Sequence, residues 1–197
     1  MKLVLASKNQ HKLVELQTIL GQMGLEVVLE SEIGIDVDVE ETGVTFAENA
    51  MLKAKAVMEA SGMAAIADDS GLVVDALNGE PGVYSARYGG RPTDLDRTML
   101  LLEKMKDIPE EKRTGRFVSA IACVLPDGSA VTAEGVCEGR ILFELRGTGG
   151  FGYDPVFYVP QLGKTFAEAG AEEKNAISHR GNALREFCKA WKESGLC

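Results

Sequence analysis

The sequence predicts an α/β protein with a mixed β-sheet flanked by helices. Two observations carry that prediction. At the start of the chain, short apolar runs of strand length alternate with segments of helical periodicity. Later, two long strand candidates flank Pro126-Asp127-Gly128, a hairpin turn signal. The 197 residues fit one compact domain, 1–197, with a hydrophobic core of its own.

Taken in order, Leu3 to Ala6 reads as a short buried strand that breaks at Ser7-Lys8-Asn9. A helix follows with Leu13, Leu16, Ile19 and Leu20 on one face, stopped near Gly21 and Gly24. Glu26 to Leu29 is a second strand, and a polar, acidic loop runs from Ser31 to Gly43. Thr45-Phe46-Ala47-Glu48 fits a capping box and opens an Ala-rich helix to about Ser61. Ala64 to Ala67 reads as a buried strand ending at Asp68-Asp69, and Leu72 to Leu77 extends it or pairs with the sheet. A turn at Asn78-Gly79 and the loop Glu80-Pro81-Gly82 come next. Thr93 to Met105 reads as a helix. Arg116 to Leu125 and Ala130 to Arg140 form the hairpin strands. After the glycine-rich Gly147-Thr148-Gly149-Gly150, a last helix runs from about Gly181 to Glu193, with Leu184, Phe187 and Trp191 at core spacing. No repeat, linker or low-complexity segment is visible.

Net charge is −9 and no run of Lys or Arg exceeds two, which argues against nucleic-acid polymers as partners. A mononucleotide, needing only a few local cations, is not excluded. Cys123, Cys137, Cys188 and Cys197 show no CxxC spacing and read as free thiols of a reducing cytosol. The apolar N-terminal run is too short for a signal-peptide core, and no stretch reaches the roughly 20 apolar residues of a membrane span. A soluble, cytoplasmic protein is expected.

Five segments carry chemistry. Ala67-Asp68-Asp69-Ser70-Gly71 places two adjacent carboxylates at the end of an apolar run, a charge density usually offset by a metal ion or a cationic side chain. On an extended backbone the two point opposite ways, so one faces a ligand while the other caps or braces the loop. Ser7-Lys8-Asn9-Gln10-His11-Lys12 puts free N–H groups and Lys12 at a helix start, an anion site. The plainer alternative is that Asn9 is an N-cap and Lys12 a solvated lysine. Glu40-Glu41 precedes the Thr45 helix, where Glu48 reads as a capping residue, and Asn49 and Lys53 share a face at i, i+4. One acid from Glu40–Glu41 and one from Asp68–Asp69 would suffice for magnesium, which keeps waters and substrate oxygens as its other ligands. His11 and His179 form no zinc pattern.

Phe151-Gly152-Tyr153-Asp154 sets an aromatic between glycines, fit to stack on a base, with an acid able to accept from a ring N–H. A turn with one buried aromatic is the alternative. Ser178-His179-Arg180 supplies donors for a carbonyl oxygen or a phosphate, or else a capped helix start with solvated charges. No GxSxG elbow supports a Ser–His–Asp hydrolase. Acids for a cation, bases and amides for phosphate, and an aromatic for a flat ring together read as a nucleotide enzyme.

These segments resemble the inosine triphosphate pyrophosphatase family. The stretches that match are SKNQHK with the following Glu15, EETGVTFAENAMLKA, AIADDSGLVVDALNGEPGVYSARY, GTGGFGYDPVF and EKNAISHRGNAL, from Ser7 to Leu184 in the family's order. The resemblance implies an elongated mixed α/β fold of two lobes with the nucleotide cleft between them, a homodimer, and magnesium dependence. The implied reaction is hydrolysis of non-standard purine nucleoside triphosphates to the monophosphate and pyrophosphate. It further implies that Ser7, Asn9, Lys12 and Lys53 hold the triphosphate, and that Lys8, Gln10 and His11 belong to the same substrate-binding segment. Lys8 and His11 stand where the family often has glycine. Glu41 and Asp69 handle the magnesium, Asp69 activates water, and Ser70 touches substrate. Phe151, Gly152, Tyr153, Asp154, Lys174, His179 and Arg180 form the base and sugar side. Inosine and xanthine present a 6-oxo acceptor and an N1–H donor, whereas adenine presents the reverse, so His179 or Arg180 with Asp154 would face adenine mismatched. A non-catalytic nucleotide sensor and a pyrimidine triphosphate pyrophosphatase are the alternatives.

Overall fold

The structure, a computed structural model, describes residues 1–196. Its strands are Lys2–Leu5 (β1), Glu26–Leu29 (β2), Ala65–Val74 (β3), Thr114–Val124 (β4), Ala130–Ile141 (β5), Phe157–Val159 (β6) and Lys164–Thr165 (β7). They form one seven-stranded sheet in the order β2-β1-β3-β4-β5-β6-β7. β1 runs parallel to β2 and β3, while β6 runs antiparallel to β5 and β7. This is the mixed sheet expected from the strand–helix alternation and the hairpin. The helices are Gln10–Leu20 (α1), Phe46–Ser61 (α2), Asp94–Lys104 (α3), Ala171–Ile177 (α4) and His179–Glu193 (α5). No helix among the described residues is long and apolar enough to cross a membrane.

The chain divides into two compact bodies. The first comprises Met1–Asp69, Ser119–Gly135 and the segment from His179 onward; the second comprises Ser70–Val118 and Val136–Ser178.

The first body is layered because its strands alternate residue size with period two. Leu3, Leu5, Ile66, Ile121 and Cys123 pack with Leu16 and Leu20 of α1 and with Leu184, Phe187 and Trp191 of α5. Val4, Ala6, Ala65, Ala67, Ala120 and Ala122 pack with Ala50, Ala54 and Val57 of α2. Large side chains face one helix pair, and alanines meet alanines on the other side. Emptying the first layer, as in Leu16→Ala, would cost about 2–5 kcal/mol. Asn9 caps α1 by accepting from the amides of His11 (2.9 Å) and Lys12 (3.3 Å), and Thr45 caps α2 by accepting from Glu48 (3.1 Å). Gly62, at φ 66°, ends α2 in the left-handed region.

The second body packs Leu72, Val74, Tyr88, Leu101 and Met105 around three rings. Phe117 meets Phe157 edge-on at 4.6 Å, and Phe157 lies 5.3 Å from Phe166. Buried Arg113 donates to the carbonyls of Met105 (2.6 Å), Ile141 (2.8 Å) and Leu142 (2.8 Å). It thereby ties the C-terminal end of α3 to the exit of β5, where a cation suits the helix dipole.

Three expectations need correction. The strand opened at Ala64 does not end at Asp68-Asp69 but runs unbroken to Val74. Of the two options for the segment from Leu72, extension of the same strand is the one found, and the pairing of β3 with its neighbour β4, rather than local propensity, carries it through Ser70 and Gly71. The last helix starts at His179, two residues early. The elements β6, β7 and α4, too short for periodicity to declare, were not foreseen. Cys123, Cys137 and Cys188 are free thiols, as expected; Cys197 lies outside the described residues.

Candidate active site

Asp68 and Asp69 inherit the alternation of β3. Asp68 follows Ile66 toward the α1/α5 side, and Asp69 follows Ala65 and Ala67 toward α2. The first is 1% exposed. Its carboxylate accepts from Arg180 Nη2 (2.9 Å) and Nε (3.1 Å), from Lys12 Nζ (2.9 Å) and from Ser119 Oγ (2.5 Å). Arg180 reaches on to Glu15 at 2.5 Å. Burial alone would raise the Asp68 carboxyl, but Arg180 and then Lys12 outweigh it and hold it well below the ordinary carboxylate range. The register between β1 and β3 pairs Val4 with Ala65 and Leu5 with Ile66. Further along β3, Lys12 Nζ donates to Asp68 O at 3.0 Å. Burial, the largest influence on Lys12, lowers its ammonium below the usual lysine value.

On the other side, Lys53 Nζ sits 2.6 Å from Asp69 Oδ1 and 2.8 Å from Glu41 Oε1. One ammonium therefore joins the acid of the 31–43 loop to the acid of β3. Burial is the largest influence on Asp69 and pushes its carboxyl up; Lys53 opposes this, and Glu41 adds to it. Burial also lowers Lys53, but its two carboxylate partners outweigh that and hold it above the ordinary lysine value. Among the described residues no group of three His, Cys, Asp or Glu side chains could hold a metal alone. Two hard carboxylates sharing one cationic position fit magnesium, which takes one or two carboxylates and leaves its other positions to water and substrate oxygens.

The remaining first-body residues lie around α1 and α5. Ser7 Oγ accepts from Asn9 N (3.1 Å), which folds the segment before the helix. Lys8 is exposed and ion-paired to Asp36 at 2.5 Å, and that partner holds its ammonium above the ordinary value. Gln10 and His11 are exposed on the first turn of α1, and His179 is buried at the start of α5.

In the second body Asp154, 3% exposed, accepts from Phe151 N (2.9 Å) and from Lys174 Nζ (2.6 Å). Lys174 lies 4.6 Å above the Phe151 ring and 5.4 Å from that of Phe166. Gly150, at φ 70°, is needed twice over: only glycine takes that conformation freely, and a Cβ would strike the Asp154 carboxylate. Gly152 is held by α3, its N–H donating to Asp94 Oδ2 (2.9 Å) and its carbonyl accepting from Thr98 Oγ1 (3.4 Å). Tyr153 is buried and donates to Ser85 O at 2.7 Å, so it anchors the loop. Ser70 is half-buried in β3.

Sequence reasoning gave no role to Glu15, Ser119, Asp94 or Thr98. Each acts through a partner remote in sequence, and only the parity of Ser119 with Ile121 carried a hint. Chemically, the first body offers buried cations and two acids suited to a polyanion and its metal. The second offers an aromatic face with a lysine and an acid beside it.

The Ham1 family model matches residues 3–190. A dITP/XTP pyrophosphatase of Thermus thermophilus is 53% identical over 193 residues, covering 98% of this chain and 93% of that protein. One of Shigella flexneri is 50% identical, covering 93% and 94%. The solved structure of a HAM1 protein from Coxiella burnetii superposes with a TM-score of 0.89 at 42% identity, covering 98% of this chain and 99% of that one. Alignment over nearly the whole length, through every segment of the site, leaves one conclusion: the chain belongs to the Ham1 family.

Proposed function

We propose that this chain is a nucleoside-triphosphate pyrophosphatase that hydrolyses non-standard purine nucleoside triphosphates, ITP or dITP and XTP or dXTP, to the monophosphate and pyrophosphate. The observation that carries the reading is the Glu41–Lys53–Asp69 triad, two acids and one ammonium brought together from a loop, a helix and a strand. The same activity is in the names of the Thermus and Shigella relatives.

In this reading Glu41 and Asp69 would hold magnesium, whose charge would offset that of the phosphates. Ser7, Asn9, Lys12 and Lys53 bind the triphosphate, with Lys8, Gln10 and His11 along the same segment. Asp69, raised by its burial, takes the proton of the water that attacks the α-phosphorus, and pyrophosphate leaves. Lys53 turns from the acids to the phosphates as charge gathers there. Phe151 stacks on the base, with Gly152, Tyr153, Asp154, Lys174, His179 and Arg180 on the base and sugar side and Ser70 touching substrate. Asp68, held by Arg180 and Lys12, braces the strand. A cytoplasmic homodimer fits a nucleotide-pool enzyme with free thiols, and sedimentation velocity reads the assembly.

Pyrophosphate release with magnesium from ITP, dITP, XTP, dGTP, dATP and dUTP tests the proposal. Preference for the first three, with monophosphate as co-product, supports it. Equal rates on all six would remove the base discrimination. No release from any would favour a nucleotide-binding module.

A further inference from the structure

Asn49 has no role in the reading above, yet it is a polar side chain with no exposed surface, set in α2 beside the buried Ala50. Its Oδ1 accepts from Gly43 N at 2.8 Å, while its Nδ2 is buried with no acceptor. An orphaned buried donor costs about 1–3 kcal/mol. An apolar residue of similar size would avoid that cost but give up the bond to Gly43 N, so what asparagine adds is its hold on the loop rather than stability within the helix.

The bond it makes lies two residues after Glu41. The next amide, Val44 N, is held at 2.7 Å by Glu48 Oε2. Glu48 therefore restrains the loop ahead of the cap Thr45, rather than closing a capping box on Thr45 itself. Two successive loop amides are thus pinned to side chains in the first turn of α2, the helix that carries Lys53. The fit at Gly43 is tight: a Cβ there would lie 2.6 Å from Asn49 Oδ1 and 2.7 Å from Glu48 Cβ. On its other side the loop borders an open pocket of about 830 Å³ lined by Thr42, Gly43, Met51 and Lys55, among others.

We propose that Asn49 is a positioning residue for the metal: it fixes the 41–43 segment so that the Glu41 carboxylate and Asp69 converge on one cation. This rests on the reading of Glu41 as a metal ligand. Residues that hold ligands in place typically govern about 10–100-fold in metal affinity.

The test compares Asn49→Leu, Gly43→Ala and Glu41→Gln, with manganese(II) as the probe, titrated by electron paramagnetic resonance in the presence of pyrophosphate. Thermal midpoint and hydrogen exchange at Gly43 are measured alongside. Expected for Asn49→Leu are an unchanged or higher midpoint, faster exchange at Gly43, and manganese binding weaker by about 10–100-fold. Gly43→Ala, which disturbs the same seat from the loop side, should also weaken manganese binding; it decides the matter if Asn49→Leu does not fold. Weakening in Glu41→Gln but in neither other variant overturns the inference and leaves the Glu41 reading standing. Unchanged affinity in Glu41→Gln removes that reading, and the inference with it.

Discussion

Asp68 and Asp69 are chemically identical neighbours on one strand, and the structure gives them opposite surroundings. Asp68 meets a guanidinium, an ammonium and a hydroxyl, and its carboxyl is pulled well below the ordinary range. Asp69 meets one ammonium shared with Glu41, and its carboxyl is raised, burial being the largest cause. A saturated carboxylate has nothing left to offer a reaction. A buried one with a single charged partner can take a proton or a cation. The chemistry follows from the number of partners, and strand parity decides which residue receives how many.

The largest expected effect sharpens that contrast on the reactive side. Asp69→Asn should lower turnover by about 10²–10⁴-fold, the share of a general base, with a thermal midpoint close to that of the parent. Turnover near the parental rate in a folded protein would break the comparison at its centre. On the bracing side, Arg180→Gln leaves Asp68 buried and short of its main partner. Chemical denaturation should show a loss of about 3–5 kcal/mol, and part of it should return when Asp68→Leu is added, because the buried carboxylate is then gone, although Lys12 and Glu15 each lose a partner.

Ser119→Ala is the milder form of the same experiment, costing about 1.5–3 kcal/mol for one hydrogen bond to a charged group. Its pH dependence carries the sign. A depressed carboxyl contributes stability that is complete above its unfolded-state value, about 3.9, and is lost as pH falls below it. The deficit of Ser119→Ala should therefore be full at neutral pH and shrink in acid. Asp69, raised, works in the opposite direction: it favours the fold most at low pH, and that contribution fades as pH rises through its folded value. The smallest effect is a displaced titration. Removing the opposing ammonium in Lys53→Met should move the Asp69 carboxyl further up, as read by carbon NMR of the metal-free protein. A downward movement would show that Lys53 does not act on Asp69 as the geometry requires.

Much of this was legible beforehand. The opposite orientation of the two aspartates follows from period-two geometry. Thr45 caps its helix as its position suggested, and Asn9 is the N-cap that its plainer reading made it. The family resemblance was readable because its motifs are long and contiguous. What the chain concealed is long-range. Nothing near Asp68 announces Arg180, 112 residues away, or Ser119, 51 away. The continuation of β3 past Gly71 depends on flanking strands that no local window contains. Asn49 looked like a helix-surface neighbour of Lys53, whereas burial makes its amide the seat of a loop.

The Arg180–Asp68 pair also bears on how the chain is made. Synthesis proceeds from the N-terminus at about 5–20 residues per second, so the nascent protein carries Asp68 for roughly ten seconds before its guanidinium exists. Lys12 and Ser119 emerge earlier and cannot complete the set alone. The first body, assembled from three separate stretches of sequence, stays electrostatically unfinished until α5 has been translated. A ribosome that stops short of that helix releases a product in which Asp68 has Lys12 and Ser119 but not its guanidinium. That product also lacks the Leu184, Phe187 and Trp191 side of the core, so it is marked for removal by its own instability.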